Sequence, residues 1–500
     1  MNGNPATLIP VALFLLLGLG ITFFVRYQSR KRRETGFVSE YFIGSRSLGA
    51  FVLAMTTIAT YGSVSSFVGG PGQAWNVGFG WVYMATIQVT ALFLLYGIMG
   101  KKMALVSRKL GAITVIDVIR ARYQSNVLAN ISAIVIVLFF GATMVAQFVG
   151  GAKLFEAVTG YSYEVGLAIF GIAAILFTAL GGFRGVAFVD TLCGIAMIVG
   201  IFVLAGGILN AGGGYTNIME NLQTHNPQLL DPLGGGDMPI GLYFTQWLLV
   251  GVFTFCLPQS VVRCMGYKDS KSLRQAMIIG TIIIGAMMIG VTALGVLAKG
   301  ILPADLSAYG NSVDNIIPLA IVQSLPPWLA GVAIIGPVAA SISTVASLLI
   351  FSSSSIIKDM YLHYREEKND VPSGKQVARY SQVFTFVVGV IVFVLSVVPP
   401  DVIWKINMFA FGGLETAFCW VLVMGLFWKK ANKFGALCSM VGGTLAYCGT
   451  MAAGITFFGL HQIVIGITVS LLCMVIGSLV VSSKATSDKE KEIRLVFFGE

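Results

Sequence analysis

Ala59-Thr60-Tyr61-Gly62-Ser63-Val64-Ser65-Ser66, followed by Gly69-Gly70-Pro71-Gly72, interrupts an apolar stretch from 48 to 70. That stretch is long enough to cross a bilayer. Irregular backbone survives at such depth only where protein or a water-filled cavity satisfies its polar groups. A second apolar stretch, 241–263, is interrupted at Thr254-Phe255-Cys256-Leu257-Pro258-Gln259-Ser260. Paired interrupted helices in corresponding positions point to a transporter binding site. The competing explanation is local: Gly and Ser allow close helix packing, and the proline is an ordinary kink.

The surrounding chain supports a membrane setting. Of its 500 residues, 56% are hydrophobic and 11% charged, against about 25% charged in soluble domains. Its mean hydropathy is +0.85. A water-soluble enzyme is excluded, and so is a membrane β-barrel, whose strands alternate with period two. Thirteen spans are expected, at 8–25, 48–70, 78–100, 127–152, 164–183, 187–209, 241–263, 276–298, 329–356, 380–398, 404–427, 435–457 and 461–482. The fold class is all-α and polytopic. Numbered from the second span, the two interrupted spans are first and sixth, where two five-helix repeats would begin.

Charge sets the orientation. The first span, Leu8 to Val25, is followed rather than preceded by basic residues (Arg26, Arg30, Lys31, Arg32, Arg33), which argues for a retained helix with its N-terminus outside. An odd span count then puts the C-terminus in the cytoplasm. All but Lys153, Lys299 and Lys405 of the 32 Lys and Arg residues fall on the cytoplasmic side, as the positive-inside rule requires. The net charge of +10 therefore reflects topology, and no nucleic-acid partner is expected. The long outer loops are 210–240 and 299–328, and the tail from Ser482 to Glu500 is short.

The seven cysteines lie in apolar segments without a Cys-x-x-Cys pair, and the three histidines are scattered. Neither a disulfide framework nor a metal cluster is expected. No Walker A sequence occurs, and no reaction centre is marked, so the chain does not read as an enzyme. Polar residues at depth remain. On the ninth span, Ala340, Ser343 or Thr344, and Ser347 share one face. Hydroxyls beside unwound carbonyls suit a hard cation such as sodium, although Ser and Thr also bond the carbonyl four residues back. Glu415 lies mid-span, where a carboxylate is a functional candidate by default; otherwise it is a protonated acid bonded to a neighbouring helix. Asp190 either serves function or pairs with Arg184 or caps a helix.

The chain resembles the sodium:solute symporter family over nearly its whole length. The resemblance rests on Glu40–Gly49 (EYFIGSRSLG), Ser66–Gly72 (SFVGGPG), Thr178–Phe183 (TALGGF), Leu257–Cys264 (LPQSVVRC), Tyr267–Lys271 (YKDSK) and Phe411–Glu415 (FGGLE). The last two blocks resemble the branch that carries pantothenate. The resemblance implies a LeuT-like core of two inverted five-helix repeats with an extra N-terminal helix. Expected segments are 1–46 (N-terminal helix and basic loop), 47–240 and 241–428 (the repeats), 429–482 (two C-terminal helices) and 483–500 (tail). It further implies sodium as the coupling ion, with no other cofactor, held by the carbonyls of Ala59, Gly62 and Ala340 and the hydroxyls of Ser343 and Thr344. Asp190 matches a position linked to a second ion.

The activity implied is sodium-driven uptake of pantothenate across a bacterial inner membrane, with no obligate protein partner. Alternatives are symport of another small carboxylate or an amino acid such as proline, or, in a different class, a membrane sensor. Proline carriers of the family have an aspartate where this chain has Tyr61. For pantothenate, Ser63, Ser65 and Ser66 at the break are candidates for the carboxylate. Gln147, Thr254, Gln259 and Glu415 are candidates for the amide and hydroxyls, and Tyr61 and Trp247 for the apolar part.

Overall fold

The computed structural model describes residues 5–31, 46, 48–234, 238–303, 306, 312–370, 372–398, 403–481 and 488–499. Arg32, Arg33, most of the Glu40–Gly49 block and the start of the tail lie outside the described residues.

The helices are α1 (Pro5–Lys31), α2 (Ala50–Tyr61), α3 (Ser65–Val77), α4 (Phe79–Leu110), α5 (Val115–Tyr123), α6 (Asn126–Thr159), α7 (Tyr163–Ala211) and α8 (Tyr215–His225). They continue as α9 (Ile240–Cys256), α10 (Pro258–Gly266), α11 (Ser270–Gly300), α12 (Val313–Ser324), α13 (Pro327–Glu367) and α14 (Gly374–Leu395). The last are α15 (Ile403–Phe427), α16 (Lys433–Ala452), α17 (Gln462–Val480) and α18 (Asp488–Phe498). Among the described residues the one β contact is a parallel bridge between Leu48 and Tyr267. It joins the entry to α2 with the end of α10.

Among the described residues ten helices are long and apolar enough to cross a membrane, or twelve if each of two bent pairs counts as one span. The remaining difference from thirteen lies in α7. Its 49 residues would extend about 74 Å as one straight helix, more than twice a bilayer core. The chain leaves helical geometry at Gly182 (φ 58°, ψ −172°), a left-handed position that favours glycine. The thirteenth span therefore depends on dividing α7 there, inside the Thr178–Phe183 block.

Both expected interruptions are real. The pair α2 and α3 is bent by 62° and α9 and α10 by 42°. Gly62 (φ −71°, ψ 111°) ends α2 in extended backbone, and Leu257 (φ −61°, ψ 126°) does so before Pro258. Against the first break lies α13, of whose apolar window 94% is buried. It crosses α7 closely: a Cβ on Gly200 would stand 3.0 Å from the Gly336 Cα. Small residues at such crossings let helices pack without a solvent-driven hydrophobic term. Side chains on the outer helix faces, including Leu13, Leu16, Phe202 and Ile282, are exposed apolar residues suited to lipid.

Three segments are more structured than the sequence suggests. The segments 210–240 and 299–328, expected as long loops, contain α8 and α12, and a Cβ on Gly78 would lie 2.1 Å from the Leu229 carbonyl oxygen. The tail carries α18, whose Phe497 is buried. Lys102 donates to the Phe497 carbonyl, and the Arg122 guanidinium lies 5.8 Å from the Phe497 ring.

Candidate functional site

At the first break, α2 ends with carbonyls that no further helical turn can satisfy. The helix α13 supplies the missing donors. Ser343 Oγ donates to the Ala59 carbonyl at 2.7 Å and lies 3.2 Å from the Ala340 carbonyl. Thr344 Oγ1 donates to the Ala340 carbonyl at 2.8 Å and reaches the Gly62 carbonyl at 3.5 Å. The structure thus brings Ala59, Gly62, Ala340, Ser343 and Thr344 together, all buried. Three carbonyl and two hydroxyl oxygens converge without a formal charge, a donor set suited to a hard monovalent cation. No group of three or more His, Cys, Asp or Glu that could hold a metal occurs among the described residues.

One turn along α13 stands a buried ionic cluster. Asp190 is fully buried, and its partner is Arg263 at 3.6 Å rather than the Arg184 that the sequence offered. Thr56 Oγ1 donates to Asp190 Oδ2 at 2.7 Å. Arg263 donates to Thr60 Oγ1, to Ser347 Oγ at 3.0 Å and to the Gln259 carbonyl. Its place corrects the sequence reading, which grouped Arg263 with the cytoplasmic loop bases; it is only 1% exposed. A signal was available: Arg263 follows the Pro258 break by five residues, about 7.5 Å of helix, too little to leave the membrane.

Beside the break lies a cavity of about 30 Å³, room for a water or two. The expected Tyr61, Ser63, Ser65 and Ser66 line it, together with Trp81, Gln88, Thr292, Trp404, Asn407 and Phe411, which sequence reasoning missed. Trp81 and Trp404 meet edge to face at 5.2 Å. Ser65 Oγ and Asn407 Oδ1 are buried without a hydrogen-bond partner, so polar capacity remains for a ligand. Tyr61 OH donates to the Val250 carbonyl at 2.6 Å, tying the two broken segments together. Asn407 had a readable signal, a polar side chain in an apolar span; Trp81 and Trp404 had none.

The other candidates lie off the lining of this cavity. Gln147 supports the break: its Oε1 accepts from Val64 N at 2.8 Å, and its carbonyl accepts from Ser341 Oγ at 2.7 Å. Thr254 Oγ1 donates to the Gly251 carbonyl at 2.8 Å. Trp247 packs with Tyr243 and Phe244 at 5.6 and 5.2 Å. Gln259 presents its backbone carbonyl to Arg263. Glu415 is fully buried, and neither carboxyl oxygen has a hydrogen-bond partner. The helix-to-helix bond that the sequence suggested for it is therefore not made.

The model of the sodium:solute symporter family matches residues 41–443. The sodium/pantothenate symporter of Escherichia coli (strain K12) is 41% identical over 472 residues, covering 94% of this chain and 96% of that protein. That of Haemophilus influenzae (strain ATCC 51907 / DSM 11121 / KW20 / Rd) is 39% identical over 478 residues, covering 95% and 96%. Among solved structures, a substrate-bound outward-open Na+-coupled sialic acid symporter superposes with a TM-score of 0.81 at 19% identity, covering 97% of this chain and 99% of that one. This likeness carries the fold: an all-α, LeuT-like transporter architecture.

Proposed function

The chain belongs to the sodium:solute symporter family, and from that premise we propose that it imports pantothenate with sodium by alternating access. The observation that carries the mechanism is the set of five oxygens joining the broken α2 to α13. Sodium is the cargo that these oxygens hold. On binding, the Ser343 and Thr344 hydroxyls turn their protons away and present lone pairs, so the ion bridges the two elements. It thereby favours the arrangement in which the adjacent cavity is formed.

In the substrate site, the carboxylate of pantothenate sits at the N-terminal end of α3, near Ser65 and Ser66. The helix dipole favours an anion there, and the Ser65 hydroxyl, buried without a partner, stands ready to donate to it. Asn407 and Gln88 serve the amide and hydroxyls, and Tyr61, Trp81 and Trp404 cover the gem-dimethyl carbon. A volume of about 30 Å³ is too small for this solute. Loading therefore requires the walls of this cavity to part, and we assign the Trp81–Trp404 pair as the lid of a closed state. With the cytoplasm negative, each sodium contributes about 2.3 kcal/mol per 100 mV besides its concentration gradient, and one sodium cancels the monoanion's charge. We place the basic-loop face in the cytoplasm of a bacterial inner membrane, with the N-terminus outside.

The test is uptake of labelled pantothenate into proteoliposomes under an inward sodium gradient, compared with an equal potassium gradient. Accumulation above equilibrium with sodium alone is expected. Changing Ser343 and Thr344 together to alanine should abolish sodium activation while the protein still inserts; wild-type activation in that variant would remove the ion site. If pantothenate fails, proline and other small carboxylates form the next panel.

A further inference from the structure

Below the ion site, α13 continues a polar face toward the basic loops. Positions 343, 347, 351, 355 and 359 follow at spacing four, so that each neighbours the next along the helix surface. Ser347 belongs to the Arg263 cluster. Phe351 comes next, packed on Phe140 and Phe183 at 6.4 and 6.3 Å with the Arg263 guanidinium 5.7 Å above its ring. Beyond Phe351 lies a separate cavity of about 20 Å³, lined by Thr114, Phe351, Ser354, Ser355 and Asp359, with Pro258 from the second broken segment.

Asp359 is fully buried there. Its Oδ1 accepts from Thr114 Oγ1 at 2.6 Å, but its Oδ2 is buried with no partner. Neither neighbouring cation bonds this carboxylate: Lys358 Nζ bonds Asp117 at 3.0 Å, and Arg120 donates to the backbone carbonyl of Asp359 while its buried Nε has no partner. Ser354 and Ser355 each spend their proton on the Phe351 carbonyl at 2.9 Å, which leaves their lone pairs available. A carboxylate oxygen without a donor is costly inside a protein. Here it stands with two hydroxyl acceptors around a space for one small occupant, and hard cations take oxygen ligands.

We propose that Asp359, with Ser354 and Ser355, forms a second monovalent-cation station, which receives sodium on its way from the Ser343–Thr344 site to the cytoplasm. Arg263 and Phe351 separate the two stations, so transfer requires both to give way. A buried cation on the ion's path, held by Asp190, keeps the inner route shut until the core rearranges. This inference rests on sodium coupling of the chain and adds an exit site to it.

The test uses oriented proteoliposomes and initial rates of labelled-pantothenate uptake at a clamped potential. External sodium is varied in one series and sodium loaded inside in the other. In Asp359→Asn, the internal sodium giving half-inhibition should rise at least five-fold, while half-activation by external sodium stays within two-fold. Ser355→Ala should shift the same way by about two-fold, and Asp359→Glu should restore part of the loss. Unchanged internal inhibition, or equal shifts on both sides, overturns the proposal. So does reproduction of the wild-type inhibition by internal acidification without sodium, which would make Asp359 a proton site. Should Asp359→Asn fail to fold, Ser354→Ala and Ser355→Ala carry the same measurement. Failure of sodium coupling itself would appear separately, as wild-type uptake that external sodium does not activate.

Discussion

Changing Asp190 to asparagine keeps the size of the side chain and an acceptor for Thr56, but leaves the Arg263 guanidinium buried without a counter-ion. Breaking a buried ion pair by removing one partner costs about 3–5 kcal/mol. The remaining bonds of Arg263 to Thr60, Ser347 and the Gln259 carbonyl favour the lower end, about 3 kcal/mol. The ion site suffers as well. Ser347 stands one turn from Ser343, so the uncompensated charge lies roughly 8 Å from the bound sodium. At an effective dielectric constant near 20, that repulsion is about 2 kcal/mol, or roughly thirty-fold in affinity. Sodium activation of uptake in proteoliposomes reads the second effect. Thermal unfolding, followed by a thiol-reactive dye reaching buried Cys193, Cys256, Cys264 and Cys419, reads the first. Asp190→Asn should raise the sodium needed for half-activation ten- to thirty-fold and lower the melting temperature. Adding Arg263→Gln should recover most of both losses, because the stranded charge is gone. Unchanged sodium activation in the single variant, or a double variant as impaired as the single one, would refute the argument.

Two further outcomes follow from packing and charge. A Cβ on Gly295 would lie 2.0 Å from the Pro71 carbonyl oxygen, so Gly295→Ala must push α11 from α3. A loss of about 1–3 kcal/mol is expected, seen as a lower melting temperature and weakened uptake. Gly290→Ala, whose Cβ would meet only Ile201 at 3.7 Å, is the silent control. At the end of the fold that carries the basic loops, burial opposes charge on Asp117, but Lys358 and the backbone amides of Ile113 and Thr114 outweigh it and hold its carboxyl below the ordinary value. The contribution is therefore present above about pH 4 and lost as pH falls through the lowered folded-state value. The melting difference between wild type and Asp117→Asn should be constant from about pH 7 to 5 and close below about 4. A difference that persists at about pH 2 would exclude an ionised Asp117 as its source.

Membrane insertion and most spans are legible in the sequence because hydropathy is local and additive along the chain. Transfer of about 20 apolar residues into lipid does not depend on which helix is next door. The two breaks are legible for the same reason, since Gly62 and Pro258 act on their own backbone. The hydroxyl face of α13 follows from helical spacing alone, whereas its pairing with Ala59 and Gly62 came from the family resemblance.

What only the tertiary structure decided is which distant residues share a space. Ser343 and Ala59 are 284 residues apart, and nothing in either segment specifies the other. The distance of Arg263 from Pro258 marks its depth, but its partners Asp190, Thr60 and Ser347 come from three other helices that only packing brings to it. Trp81 and Trp404 are ordinary apolar residues of two spans until packing sets them edge to face over the cavity. Glu415 and Asp359 show the same limit from the polar side. Sequence identifies a carboxylate among apolar residues, but its function depends on the donors that surround it. Those donors come from other helices, placed by side-chain packing over distances that composition and periodicity do not encode.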